Sequence, residues 1–318
     1  MVEQYRRGIA AGIAAGAVWG LIFVAPELAP GFTPMQLSAG RYLAYGVIAA
    51  LLLAPSWRAV TARLGAAEWR ALAGLGLAGN IVYYVLLAAA VQLGGVAMAS
   101  LVIGLAPIAI TLAGSRDRHA VPLRRLAPSL LLSAAGLACI GRDAFSVAGS
   151  PVGLLCALGA LASWTLYTVW NSRVLARVGS VSGGQWSLLV GVVTGIEALV
   201  LALPAFVWTE GAHEAAALWR FIGVVGTVGL LCSVFANTLW NFASRALPLA
   251  LTGQMIVFET LFGLLYGFLW EGRGPTMYES AAVLLLVGGV VSCAAAHREG
   301  QPGRRAQAAP GPGLGSSP

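Results

Sequence analysis

The sequence predicts an all-α integral membrane protein: ten transmembrane helices arranged as two inverted five-helix repeats. Three observations predict it. Hydrophobic residues fill 58% of the 318 positions and charged residues only 10%, whereas roughly a quarter of a soluble domain is charged. The basic residues fall between apolar runs and concentrate in every other loop, on one side of a membrane. The two halves of the chain also echo one another.

A soluble fold of this size has too little interior to hide so much apolar surface. A bilayer accepts it, at about 20 apolar residues per spanning helix. Apolar runs bounded by charges and Pro/Gly breaks give expected spans at 8–27, 34–54, 70–91, 95–114, 125–141, 151–171, 183–208, 218–241, 248–270 and 277–296. The first run follows Arg6 and Arg7 as a signal peptide would. It has no small-x-small cleavage site and more spans follow it, so it reads as a retained helix. After His297 the chain turns to Gly, Pro and Arg, and 298–318 is expected to be a disordered cytoplasmic tail.

Orientation follows from the arginines. With the N-terminus in the cytoplasm, fifteen of the 19 basic residues, all of them Arg, fall inside. Arg142, Arg220 and Arg273 fall outside, and Arg41 lies within a span. An even number of spans keeps both termini cytoplasmic and satisfies the positive-inside rule loop by loop. The net charge of +7 is thereby explained without nucleic acid. Cys139, Cys156, Cys232 and Cys293 have no partner at zinc or redox spacing and read as small buried hydrophobes.

The repeat is visible in ordered matches. Trp69-Arg70 corresponds to Trp219-Arg220, Gly76 and Gly79 to Gly226 and Gly229, and Leu53-Ala54-Pro55 to Ala202-Leu203-Pro204. Further on, Ala90 corresponds to Ala243 and Gly136 to Gly289. The expected units are 1–145 and 146–297. Because five is odd, the second copy enters the membrane inverted, the arrangement that gives secondary transporters two gates around one midplane site.

Gly16-Ala17-Val18-Trp19-Gly20, Arg41, Ala106-Pro107, Trp240-Asn241 and Phe258-Glu259-Thr260, in that order, resemble the EamA-type branch of the drug/metabolite transporter superfamily. The resemblance spans residues 8 to 297. It implies a ten-helix bundle whose central cavity is lined by spans 1, 3, 4, 6, 8 and 9, and it favours export. Two departures stand out. Relatives often carry Glu-Pro where Glu259 precedes Thr260, so the kink expected of proline is in question there. Basic residues used for phosphorylated or nucleotide-linked solutes are also missing from the spans, Arg41 apart.

Ionisable groups inside a membrane are functional candidates by default. Glu259, near the middle of the ninth span, is expected to bind a cationic group or exchange protons; the alternative is a protonated carboxyl hydrogen-bonded within the bundle. Arg41 either snorkels to the interface or bonds a solute carboxylate or a helix-end carbonyl. Glu197 lies on a stripe with Ser187, Gly191 and Thr194, facing protein, and pairing with Arg41 is one option. Expected cavity-lining residues are Trp19, Asn80, Tyr83, Tyr84, Trp164, Tyr167, Asn237, Trp240, Asn241 and Gln254. The trios 80/83/84 and 237/240/241 are each spaced to share a helical face. Aromatic walls with sparse amides suit amphipathic organic solutes and cations. Gly12, Gly16 and Gly20 form a ridge for close helix packing.

These features predict a carrier of a small metabolite, amino acid or drug in a bacterial cytoplasmic membrane, with proton coupling and a homodimer as options. No cofactor, metal or catalytic residue is expected. The alternatives are an intramembrane lipid-modifying enzyme, for which no buried His or paired-carboxylate cluster is apparent, and a channel.

Overall fold

The computed structural model describes residues 2–23, 28–94, 102–115, 121–141, 150–179, 181–207, 214–272 and 274–299. Among them every regular element is helical. Helix α1 is Val2–Gly20 and ends in a 3₁₀ turn, Leu21–Phe23. Helix α2, Pro34–Leu53, starts from a capping box in which Gln36 N–H donates to Thr33 Oγ1 and Thr33 N–H donates to Gln36 Oε1. Helix α3 runs from Ala66–Gly76 through a π segment, Leu77–Val82, into Tyr83–Gly94. Then come α4, Ala106–Gly114; α5, Leu123–Gly141; α6, Pro151–Arg177; and α7, Gly183–Val207. Helix α8 repeats the construction of α3, with Ala215–Val228, a π segment Gly229–Phe235 and Ala236–Ala246. Helices α9, Leu249–Met255, and α10, Val257–Glu271, are separated by a turn at Ile256, and α11 is Met277–Glu299.

Seven of the described helical stretches are long and apolar enough to cross a membrane, among them Pro151–Arg177, Ala215–Ala246 and Met277–His297. The other expected spans correspond to α1, α4 and α5. Helix α1 begins with Glu3, Arg6 and Arg7, and α5 with Arg124 and Arg125, which shorten their uncharged stretches. The expected fourth span is described only in part, since 95–101 lies outside the described residues. The expected tail changes slightly, because helix α11 continues through Glu299; 300–318 lies outside the described residues.

Large apolar side chains such as Leu51, Leu131, Leu155, Val200 and Leu284 stand exposed on the helix surfaces. In water such a surface would aggregate; hydrocarbon is its natural solvent. Every helical N–H and C=O in that medium must be satisfied within the protein, which is why helices are used throughout.

Helix pairing is the same when the two halves are exchanged. α2 packs on α7, α5 on α11 and α4 on α9, while the pairing of α3 with α6 is matched by that of α8 with α1. Small residues set the closest approaches. A methyl group at Gly46 would lie 2.6 Å from Gly195 Cα, so α2 and α7 cross in near backbone contact. A methyl at Gly136 would meet Leu286 at 2.9 Å, and one at Gly289 would meet Ser133 Oγ at 2.7 Å, which couples α5 to α11 from both sides. The capping box of α2 recurs at the start of α7, where Ser182 and Gln185 exchange the same two bonds.

One sequence match shifts by a turn. Gly76 packs against Thr194 and Glu197 of α7, and its counterpart is Gly229, packed against Arg41 and Ala44 of α2; at Gly226 there is open space. The shift of three residues stays near the same helical face, because 3.6 residues make one turn.

Candidate functional site

The two π segments organise the centre. A change from α to π hydrogen bonding leaves backbone carbonyls without their usual helical donors, and side chains of other helices supply the missing bonds. Trp19, at the end of α1, donates its Nε1–H to Cys232 O at 2.8 Å. Ser163 of α6 donates its hydroxyl to Ala78 O at 2.7 Å. Each π segment is thus capped from the other half of the chain.

Around the Trp19 bond lies a continuous aromatic cluster. The Trp19 ring packs on Trp240 at 5.3 Å and meets Trp164 edge-on at 6.0 Å. Trp164 in turn packs on Tyr83 at 5.0 Å and Tyr167 at 5.2 Å. Five of the expected lining residues, from α1, α3, α6 and α8, are therefore brought together. Trp19, Trp240 and Tyr167 are buried, and the Trp240 Nε1–H has no hydrogen-bond partner among the described residues.

Beside this cluster stand two ionisable side chains, one basic and one acidic. Arg41 of α2 donates Nε–H to Ser233 Oγ at 3.0 Å, and its guanidinium carbon lies 5.3 Å from the Tyr42 ring and 6.0 Å from the Tyr84 ring. A guanidinium over aromatic faces is stabilised by their quadrupoles. Arg41 and Tyr84 open onto a cleft whose walls also include Ile22, Leu37, Val225 and Val228. Glu259 sits in the first turn of α10, just past the break at Ile256. Its half-buried carboxyl is within electrostatic reach of Arg41, Tyr83 and Cys232. It forms no ion pair: among the described residues the pair within 4.0 Å is Arg7 with Glu3.

The helix break needs no proline. In α4, Pro107 follows a turn at residues 104–105; in α9 and α10 the chain turns at Ile256 with Thr260 in place of proline. The glycine ridge of α1 explains what holds this position. Gly12 packs on Met255, Gly16 on Phe258 and the Glu259 backbone, and Gly20 on Phe262 and Gly263. A methyl at Gly16 would come within 2.8 Å of Glu259 N. Helix α1 is therefore seated directly on the segment that carries the carboxyl.

The remaining expected residues are distributed elsewhere. Asn80 turns to α7 and donates to Thr194 Oγ1 at 2.9 Å, while Tyr84 turns to Tyr42, so the trio with Tyr83 does not share one face. The π segment is the reason, since it rotates residue 80 relative to 83 and 84. Asn237 neighbours the Tyr45 hydroxyl. Asn241 Oδ1 accepts from Asn171 Nδ2 at 2.8 Å, and Asn171 Oδ1 accepts from Trp186 Nε1 at 2.9 Å. Gln254 is fully buried; its Nε2 donates to Thr111 Oγ1 at 3.3 Å and its Oε1 accepts from Ser133 at 3.4 Å, joining α9 to α4 and α5. Glu197 does not pair with Arg41, which is engaged with Ser233; it lies half-buried against Gly76.

Several polar residues of this interior escaped the sequence reading. Ser233, Tyr42 and Tyr45 gave no charge or cluster signal. Asn171 did carry one, at four and seven residues from Tyr167 and Trp164 on the same helix. Arg245, at the end of α8, donates Nη2 to Val178 O at 2.9 Å and Val181 O at 2.7 Å and so fastens the turn between α6 and α7.

The EamA-like transporter family model matches this chain twice, over residues 6–141 and 151–294. The inner membrane protein YtfF of Escherichia coli (strain K12) is 33% identical over 301 residues, covering 89% of this chain and 94% of YtfF. A protein of known crystal structure superposes with a TM-score of 0.73 at 21% identity, covering 92% of this chain and 98% of its own, and shares the fold.

Proposed function

We propose, from the premise that this chain belongs to the EamA-like transporter family, that it carries a small organic solute by alternating access between two inverted five-helix units. The units are 1–145 and 146–297, with both termini cytoplasmic. The twofold family match, the exchangeable helix pairing and the paired π segments support this reading. The likeness to YtfF supports a bacterial inner membrane.

The observation that carries the proposal is the Glu259 carboxyl, without an ion pair among the described residues and within electrostatic reach of Arg41, beside an aromatic centre at the break between α9 and α10. Ionisable groups held apart at membrane depth are costly, and a solute with polar or charged ends relieves that cost by binding between them. Trp19, Tyr83, Trp164, Tyr167 and Trp240 supply the apolar contact. Glu259 takes a cationic group of the solute or a proton, and Arg41 takes an acceptor. Rocking one unit against the other exposes this place to each side in turn. Export is the favoured direction, driven by protons or by the solute's own gradient.

The test begins with metabolites outside cells that produce or lack the protein, which identifies the solutes that accumulate. Those solutes are then assayed for counterflow in proteoliposomes. Saturable exchange, lost in Glu259→Gln and Arg41→Gln, is expected. Flux that rises linearly without saturation, or no solute moved, contradicts the proposal.

A further inference from the structure

Glu197 lies apart from the aromatic centre. Its Oε2 is buried and has no hydrogen-bond partner among the described residues, although the side chain as a whole is only half-buried. The oxygen is lodged against α3, where a methyl at Gly76 would lie 2.5 Å from it. The polar groups nearby are engaged with one another, Asn80 donating to Thr194. On the same flank Ile196, Val200 and Leu77 are exposed, as side chains that face lipid tails are.

Among the described residues the neighbouring elements bring no countercharge. From α2, Tyr45 lies against Gly191 and donates to Ser187 O, while Arg41 is bonded to Ser233 and near Glu259. From α3 the carboxyl meets Gly76, with Asn80 beyond, and α8 presents Ser233. No charged or titratable side chain of α2, α3 or α8 exerts a resolved influence on it. A carboxylate in such a place has neither cation nor donor for its buried oxygen, and groups so placed neutralise.

We propose that Glu197 is a proton-binding site in the seam between α3 and α7, reached from the lipid side and separate from the Arg41–Glu259 centre. The carboxyl holds its proton while the seam is closed on Gly76. It releases the proton when α7 moves away from α3 and water enters. The site stands whatever solute is carried.

The test uses the full chain in vesicles of phosphatidylethanolamine and phosphatidylglycerol, treated with dicyclohexylcarbodiimide or with a water-soluble carbodiimide. The protonated carboxyl adds across a C=N bond of the reagent to give an O-acylisourea, which rearranges to the N-acylurea. No atoms leave, so the peptide gains the whole reagent mass. Glu197 is expected to take the apolar reagent and not the water-soluble one. The yield should fall about tenfold per pH unit beyond the titration point. Glu197→Gln should abolish this adduct, and Glu259→Gln should leave it intact. Equal modification by both reagents, or no Glu197 adduct at any pH in protein that elutes as the intact species, overturns the proposal.

Discussion

Arg41 and Ser233 share a 3.0 Å hydrogen bond that ties α2 of one half of the chain to the π segment of α8 in the other. The bond from Asn80 to Thr194, 2.9 Å, makes the same join with the halves exchanged. Both ends are displaced by the same 153 positions, 41 to 194 and 80 to 233. One bond uses a guanidinium and the other an amide, so the position of the tie is repeated while its chemistry is not.

Each tie should therefore show a coupling energy of its own. Double-mutant cycles on Arg41→Met with Ser233→Ala, and on Asn80→Leu with Thr194→Val, are expected to give about 1 kcal/mol each. Thermal unfolding in detergent measures it. Strict additivity in both cycles would show that neither bond contributes.

The capped π segments give a second expectation. Trp19→Phe keeps the ring contacts but leaves Cys232 O without its donor, and Ser163→Ala does the same to Ala78 O. Losing a partner for a buried carbonyl costs about 1–3 kcal/mol. Amide hydrogen exchange should quicken in 229–235 for the first variant and in 77–82 for the second, each without the other.

Much of the fold could be read in the sequence, for physical reasons. Lipid admits only helices and closed barrels, and apolar runs of about 20 residues select helices, so apolar length and arginine placement locate most spans directly. The ridge Gly12–Gly16–Gly20 is equally legible, because only small residues let α1 approach the Glu259 backbone. The π segments are not legible. Nothing in Leu77–Val82 or Gly229–Phe235 breaks the helical pattern, yet the first of them turns Asn80 toward Thr194 and away from Tyr83. Ser233 is silent for the same reason: a lone serine in an apolar run gains meaning only when Arg41 arrives from 192 residues away.

The crossing of α2 and α7 leaves no room for a side chain. Gly46→Leu should cost about 1–3 kcal/mol through overpacking against Gly195. Gly226→Ala, which enters open space, should be neutral or stabilise by a few tenths up to about 1 kcal/mol. Comparing melting temperatures of the two variants checks both signs at once.

Arg245 fastens the turn between α6 and α7 through the carbonyls of Val178 and Val181. Arg245→Gln shortens the reach and removes the forked donor. Limited proteolysis should then cut faster around residues 178–182, with helix content by circular dichroism unchanged.

The opposed orientation of the two units is tested most directly at their matching caps. Thr33 precedes α2 and Ser182 precedes α7, each in the same capping box. In a variant with Cys139, Cys156, Cys232 and Cys293 replaced, Thr33→Cys and Ser182→Cys are treated on intact cells with a membrane-impermeant maleimide. The account predicts that Thr33→Cys reacts from outside and Ser182→Cys reacts only after the cells are permeabilised. Labelling of both from the same side would contradict it.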